Sequence, residues 1–301
     1  MSATLDAALQ RIVDSLIAGY DSTDPKGWRP CWRAASTLPM NAVTGVAYQG
    51  ANVLLLWGTQ LDREYPSNVW ATYKQWASLG AQVRKGEHGA HCVKWLVPRA
   101  KDDPSGSDEP QRGRRLVPSA FVVFNAAQVD GALAEDERPE LPPIPRFEAW
   151  LDAIDHRLVH GQPCYMPVND IVSMPHRHEF TDDDRWASTY AHELAHWSGH
   201  SSRLARDLSG RFGSASYAME ELVAEISAAF TCAMLDISDI EDRPDHHQYI
   251  RHWLDVLKEQ PRALLTVAQA AQRASTYLAS FSKESTDGAT ADEADPYPAA
   301  G

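Results

Sequence analysis

Cysteine is scarce in this chain, and its four copies (Cys31, Cys92, Cys164 and Cys232) lie far apart with no CxxC spacing. That excludes a disulfide scaffold or a cysteine zinc cluster and fits a reducing compartment. Long apolar runs are missing too. None reaches the roughly 18 residues of a membrane span, so a membrane partner is not expected. The first twenty residues interrupt their apolar pattern with Asp6, Arg11 and Asp14, unlike the unbroken core of a signal peptide. A cytoplasmic protein is the expectation. Basic charge is also short: 28 Lys+Arg stand against 41 Asp+Glu, a net charge of −13. The shortage is one-sided. Residues 1–130 hold 14 basic and 12 acidic residues, a balance of +2; residues 131–301 hold 14 and 29, a balance of −15. Nucleic acid would be tolerated by the first part and repelled by the second.

At 301 residues, with 44% hydrophobic residues, the chain is long enough for two domains. The order of elements predicts an α+β protein, with a small mixed α/β domain followed by a mainly helical one. Residues 4–20 repeat Leu5, Leu9, Ile12, Val13, Leu16 and Ile17 at helical spacing. Residues 41–57 end in an apolar run that fits either a helix or a buried strand. Residues 70–79 read as a helix stopped by Gly80, and 83–97 as a hairpin around Lys85-Gly86. A polar loop at 100–115 precedes a strand at 116–125. The first domain is therefore placed at 1–130. An acidic, proline-rich linker follows at 131–146. The second domain is placed at 147–283, with a β-region near 163–180 and three or four long helices after it. The small acidic tail at 284–301 is expected to be disordered.

Residues 189–197 read TYAHELAHW and contain HExxH. On a helix, positions i and i+4 share a face, so His192 and His196 can grip one ion. Glu193 then stands beside the metal, where it can take a proton from water. Asp182, Asp183 and Asp184 supply a cap and favourable charge at the helix start, and Gly199 a stop. The third ligand is open. His200 lies past the stop, and a metzincin pattern would need histidine where Ser202 stands. In the stretch 217–230, Leu222, Ile226 and Phe230 form one apolar stripe, while Glu221 and Glu225 share its neighbour with Ala218, Ala228 and Cys232. Carboxylates among small apolar residues need partners. Glu221 is the preferred metal ligand, with Glu225 behind it holding an imidazole. Glu220 is the alternative. Two His and one Glu leave an open position, the pattern of catalytic Zn²⁺, although the same set accepts Mn²⁺ and other divalent ions. The reading is a zinc metallopeptidase of gluzincin type. Tyr217, His200 and the His246-His247 pair are unranked candidates for stabilising its transition state.

Residues 1–130 hold six of the ten Trp, interleaved with cations. Aromatics beside cations are how proteins hold single strands without reading sequence. Arg29, Trp32, Lys74, Arg84 and Lys85 are the candidate contacts.

Taken together, these motifs resemble the ArdC antirestriction family of mobile elements. The first part carries Asn41-x-x-Thr44-Gly45-x-x-Tyr48-x-Gly50-x-Asn52, Trp70-x-Thr72-x-x-Gln75, Gly80-x-x-Val83-x-Lys85-Gly86-Glu87 and Val123-Phe124-Asn125-x-x-Gln128-Val129-x-Gly131. The second part carries His192-Glu193-Leu194-Ala195-His196-Trp197-Ser198-Gly199-His200, Phe212-Gly213-Ser214, the stretch from Tyr217 to Glu225, and Tyr249-Ile250-x-x-Trp253-Leu254. The resemblance implies a domain that binds single-stranded DNA followed by a zincin-like metallopeptidase domain. It also implies a divalent metal and a role in carrying incoming DNA past host restriction in conjugation. An unknown protein or peptide would be the substrate. Two rival readings remain: a DNA-occluding protein whose metal site cleaves nothing, and a general cytoplasmic zinc peptidase.

Overall fold

A computed structural model describes residues 3–22, 30–34, 37–96, 117–131, 143–210, 214–237 and 247–282. The polar loop expected at 100–115, most of the linker and the acidic tail fall outside the described residues. Among these, no helix is long and apolar enough to cross a membrane.

The N-terminal segment opens with α1 (Ala3–Ser22), which buries Leu9, Val13 and Leu16 on one face. After the short α2 (Cys31–Ala34) and β1 (Met40–Asn41), the ambiguous apolar run resolves as α3 (Ala51–Asp62). Every side chain from Asn52 to Trp57 is buried, because α3 is enclosed on more than one face. Then come β2 (Val69–Ala71), α4 (Tyr73–Ser78), β3 (Gln82–Val83), β4 (Ala90–Leu96), β5 (Val117–Asn125) and β6 (Val129–Asp130). Four of these strands form a sheet in the order β1-β2-β5-β4. Asn52 clamps α3 onto it: its side chain accepts from Val93 N at 2.7 Å and donates to Val93 O at 2.8 Å.

Two local expectations change here. Trp70 and Ala71 are strand, not helix, because Thr72 caps α4: its hydroxyl accepts from Gln75 N, while the Gln75 side chain accepts from Thr72 N. The hairpin over 83–97 does not form. β3 pairs with β6, and β4 pairs with β5 from Ala90↔Val123 to Leu96↔Val117. The intervening turn is pressed onto β5, where a Cβ on Gly89 would lie 2.4 Å from the Val122 side chain. It is also tied down by Gln128, which donates to Glu87 at 2.9 Å.

The C-terminal segment starts with α5 (Pro143–Asp152), followed by β7 (Arg157–His160), β8 (Cys164–Met166) and β9 (Ile171–Met174) in the order β7-β9-β8. Four helices complete it: α6 (Asp183–Ser198), α7 (Ala215–Met234), α8 (His247–Glu259) and α9 (Ala263–Ala279). Their packing joins the segments. One continuous core contains Leu9 and Val13 of α1, Leu54 and Trp57 of α3, Leu222, Ile226 and Phe230 of α7, and Leu257 of α8. Trp57 and Phe230 meet across this seam with ring centroids 5.7 Å apart. Each large apolar side chain so buried contributes about 1.5–3 kcal/mol. A second core lies between α5, β9 and α6, and α7 reaches it through Ala228 and Cys232. One helix thus packs into both.

Candidate metal centre and its surroundings

The site is built by α6 crossing α7. Asp182 caps α6, accepting from Arg185 N at 2.8 Å, and Asp183 and Asp184 occupy the first turn. Two turns later the i,i+4 spacing brings His192 and His196 together, with their Nε2 atoms 3.2 Å apart. Glu221 comes from α7, its carboxylate 3.5 Å from His192 Nε2 and 3.6 Å from His196 Nε2. Among the described residues this trio is the group whose donor atoms lie close enough, within 4.8 Å of one another, to hold a metal ion. The expected set of His192, His196 and Glu221 is therefore brought to one point, and His200 is not: its Nδ1 faces Ser202 Oγ at 2.8 Å inside the following turn.

Both imidazoles present Nε2 to the common point and turn Nδ1 to a carboxylate. Glu225 Oε2 lies 3.6 Å from His192 Nδ1, the position read for it from the sequence. Glu220, the alternative ligand, instead lies 3.3 Å from His196 Nδ1. Such outer carboxylates fix the tautomer that leaves Nε2 available. Glu193 is 4% exposed, and its charge adds to burial in pushing the Cys164 thiol up. That places it toward β8.

Burial opposes a charge on His196, but Glu221 and Glu220 prevail and lift its imidazole to about 10. Glu221 is itself held far below the usual carboxylate range, despite its burial, by the two imidazoles. Four carboxylates (Glu193, Glu220, Glu221 and Glu225) share this small, mostly buried volume with one guanidinium and the His196 imidazole, so negative charge stays in excess even with that imidazole protonated. Such a surplus of negative charge is costly away from water unless a cation joins it. The donor set and its charge fit a divalent ion.

That guanidinium, Arg206, was not legible in the sequence. The chain turns sharply after α6 and returns Arg206 to the helix end. There it donates to Ala195 O at 2.6 Å, Ser198 Oγ at 2.9 Å and Glu220 at 2.8 Å. Gly199 makes this possible by clearance, not by an unusual backbone angle: its φ is −78°, and a Cβ there would lie 2.8 Å from Arg206 Nη2. Arg203 pins the same turn. It stacks 3.8 Å over the Trp197 ring and pairs with Asp170 in the turn between β8 and β9. The only advance signal was the pair of arginines following the helix stop.

The candidate DNA contacts scatter. Trp32 is 1% exposed and packs against Trp253 at 5.8 Å, so its ring is part of the core and offers no face to a base. Trp57, Trp70 and Trp76 are buried as well. Arg84 pairs with Glu87 at 3.0 Å and Asp130 at 3.6 Å. Lys74 and Lys85 are exposed, on α4 and on the turn after β3, while Arg29 lies outside the described residues. Two aromatics not singled out from the sequence protrude among the described residues of this segment: Tyr73, 51% exposed, and Trp95, 49% exposed.

Comparison with known proteins matches both segments. Residues 6–124 match the N-terminal domain of anti-restriction factor ArdC, and residues 145–271 match a zincin-like metallopeptidase. The chain is 39% identical to the uncharacterized protein y4eC of Sinorhizobium fredii, over 89% of this chain and 90% of that one. It is 31% identical to a DNA primase TraC of Escherichia coli, over 93% of this chain but 20% of the primase. Two crystal structures of the antirestriction protein ArdC from the R388 plasmid superpose on it. The metal-free form does so with a TM-score of 0.74 at 31% identity, over 92% of this chain and 98% of that one. The Mn(II)-bound form gives 0.72 at 33% identity, over 91% and 98%. With both segments matched in order and 92% of its length shared with one ArdC structure, the chain belongs to the ArdC family of antirestriction proteins.

Proposed function

We propose that the protein binds single-stranded DNA and uses a divalent metal held by His192, His196 and Glu221 to hydrolyse a peptide bond in a protein met on that DNA. The observation that carries the reading is the convergence of those three donors, each imidazole backed by a carboxylate. Zn²⁺ suits a His₂Glu set with an open position. Mn²⁺ is the other ion to consider, since it is bound in one of the similar ArdC structures. When bound, the ion supplies Lewis acidity toward a carbonyl and a water. The chain's own groups do the rest. Glu193 accepts a proton at its carboxylate and returns it to the leaving amine. Glu225 and Glu220 hold the imidazoles in one tautomer, and Arg206 keeps Glu220 ionised and in place. The single-strand reading is supported by membership in the family and by the near-neutral N-terminal segment. Cytoplasmic action on entering DNA is part of the same proposal and is supported by the same membership.

The test uses the full chain, stripped with chelator and reloaded with Zn²⁺ or Mn²⁺, against a peptide library. Metal-dependent cleavage is expected, and Glu193→Gln should bind the ion normally yet cleave about 10²–10⁴-fold more slowly. A Glu193→Gln variant that still protects incoming DNA would overturn proteolysis as the mechanism and leave occlusion of DNA in its place.

A further inference from the structure

A cavity of about 290 Å³ opens on the seam between the segments. The turn before α3 and strand β4 form one wall, and α9 forms the other. Its two sides are latched by the Gly50 N–H, which donates to Gln272 Oε1 at 2.8 Å. In a chain with 41 acidic residues, none of the described residues lining this cavity is acidic, and Lys94 and Arg273 line it from opposite segments. Such a pairing favours an anion. Trp95 also lines the cavity. Four other Trp of the N-terminal segment are at most 2% exposed, whereas Trp95 is 49% exposed and shares this lining with the two cations. Gln49 and Gln269 add amides that can both donate and accept. The volume sits at the lower end of ligand sites and is too small for an element of a folded partner.

From these features we infer that the seam cavity takes one nucleotide of a single strand, with its base stacked on Trp95 and its phosphate met by Lys94 and Arg273. A paired base has both faces covered by its neighbours in the stack, so the cavity selects single strands over duplex. The inference rests on the single-strand reading above and gives it a location that Arg29, Trp32, Lys74, Arg84 and Lys85 do not supply.

The test is a titration of the full chain with a short fluorescein-labelled oligonucleotide of mixed sequence, across a salt series, with the same sequence as duplex for comparison. Trp95→Ala should weaken binding by about 5- to 150-fold, as stacking contributions of about 1–3 kcal/mol per base imply. Trp95→Phe should restore most of it. Lys94→Gln with Arg273→Gln should lower the slope of log affinity against log salt by about 0.7 for each phosphate that is no longer neutralised. None of these side chains is buried, and circular dichroism checks that the variants fold. If the wild type binds the strand and every variant matches it, the cavity is overturned while the single-strand reading stands. If the wild type binds no strand at low salt, that reading falls and takes the cavity with it.

Discussion

The two segments put their motif residues to opposite uses. In the C-terminal segment, His192, His196 and Glu221 turn toward one point and Glu225 backs His192 from behind, where burial sharpens every charge. In the N-terminal segment the motif residues mostly build backbone. Asn41 receives the Val43 and Thr44 N–H groups and reaches the Tyr48 hydroxyl at 3.2 Å. Thr72 with Gln75, and Asn125 with Gln128, close reciprocal caps. Asn52 clamps a helix to a strand. A string of recognisable residues is therefore a ligand set in one segment and a set of turn and cap fixtures in the other. Residue type does not separate the cases; what the side chain faces does.

The largest effect that would sharpen this comparison lies at the seam. Phe230→Ala should cost about 3–5 kcal/mol, because a large ring leaves a packed core. Heating should melt both segments in a single transition, read by calorimetry and by tryptophan fluorescence together. Two separated transitions would break the claim that they share one core. Next in size is Arg206→Ala. It leaves Glu220 without its guanidinium, and metal affinity should fall about 10–100-fold by titration calorimetry, as for other outer partners of metal ligands. An unchanged affinity would show that His196 is oriented without that guanidinium. Gly199→Ala should give a smaller loss in the same measurement, since its methyl group presses on the Arg206 guanidinium and the His196 carbonyl oxygen but removes no group from the site. The smallest effect concerns Asp170. Arg203 first, helped by Tyr165, lowers its carboxyl to about 2 from an ordinary 3.8. A depressed carboxyl stabilises the fold above its ordinary value, and that contribution fades as the pH falls toward about 2. Asp170→Asn should flatten the stability curve in this acid window. The change should be slight, because the side chain is 34% exposed and water screens the pair.

What could be read from the sequence divides along the distance over which a residue finds its partners. The helix α1, the capped start of α6 and the His192/His196 pair depend on neighbours within a turn or two, and periodicity exposes them. Glu221 and Glu225 were legible because a carboxylate stripe on an otherwise apolar helix demands an explanation. Glu220 looked like the polar side of that helix because its partner, Arg206, arrives from a loop with no periodicity. Strand pairing escaped for the same reason: β3 meets β6 across more than forty residues, and two-residue strands carry no alternation to read. The tryptophans misled because composition counts rings without saying which of them the core absorbs. Contacts between residues far apart in sequence, such as that of Trp57 with Phe230, decide that Trp57 is inside, while Trp95 on β4 stays largely exposed.

The helix α7 carries a last consequence. One of its faces presents Glu221 to the metal centre, and another, through Leu222, Ile226 and Phe230, completes the hydrophobic interior begun by the N-terminal segment. Cutting the chain near residue 130 would strip that interior from both pieces, so a fragment of either segment is a poor stand-in for its part of the whole. The boundary that family descriptions draw in the sequence is not a boundary in space. In this chain the peptidase-like segment depends on its companion for that interior. The primase TraC matches this chain along both segments at once, as a passage within a much longer protein.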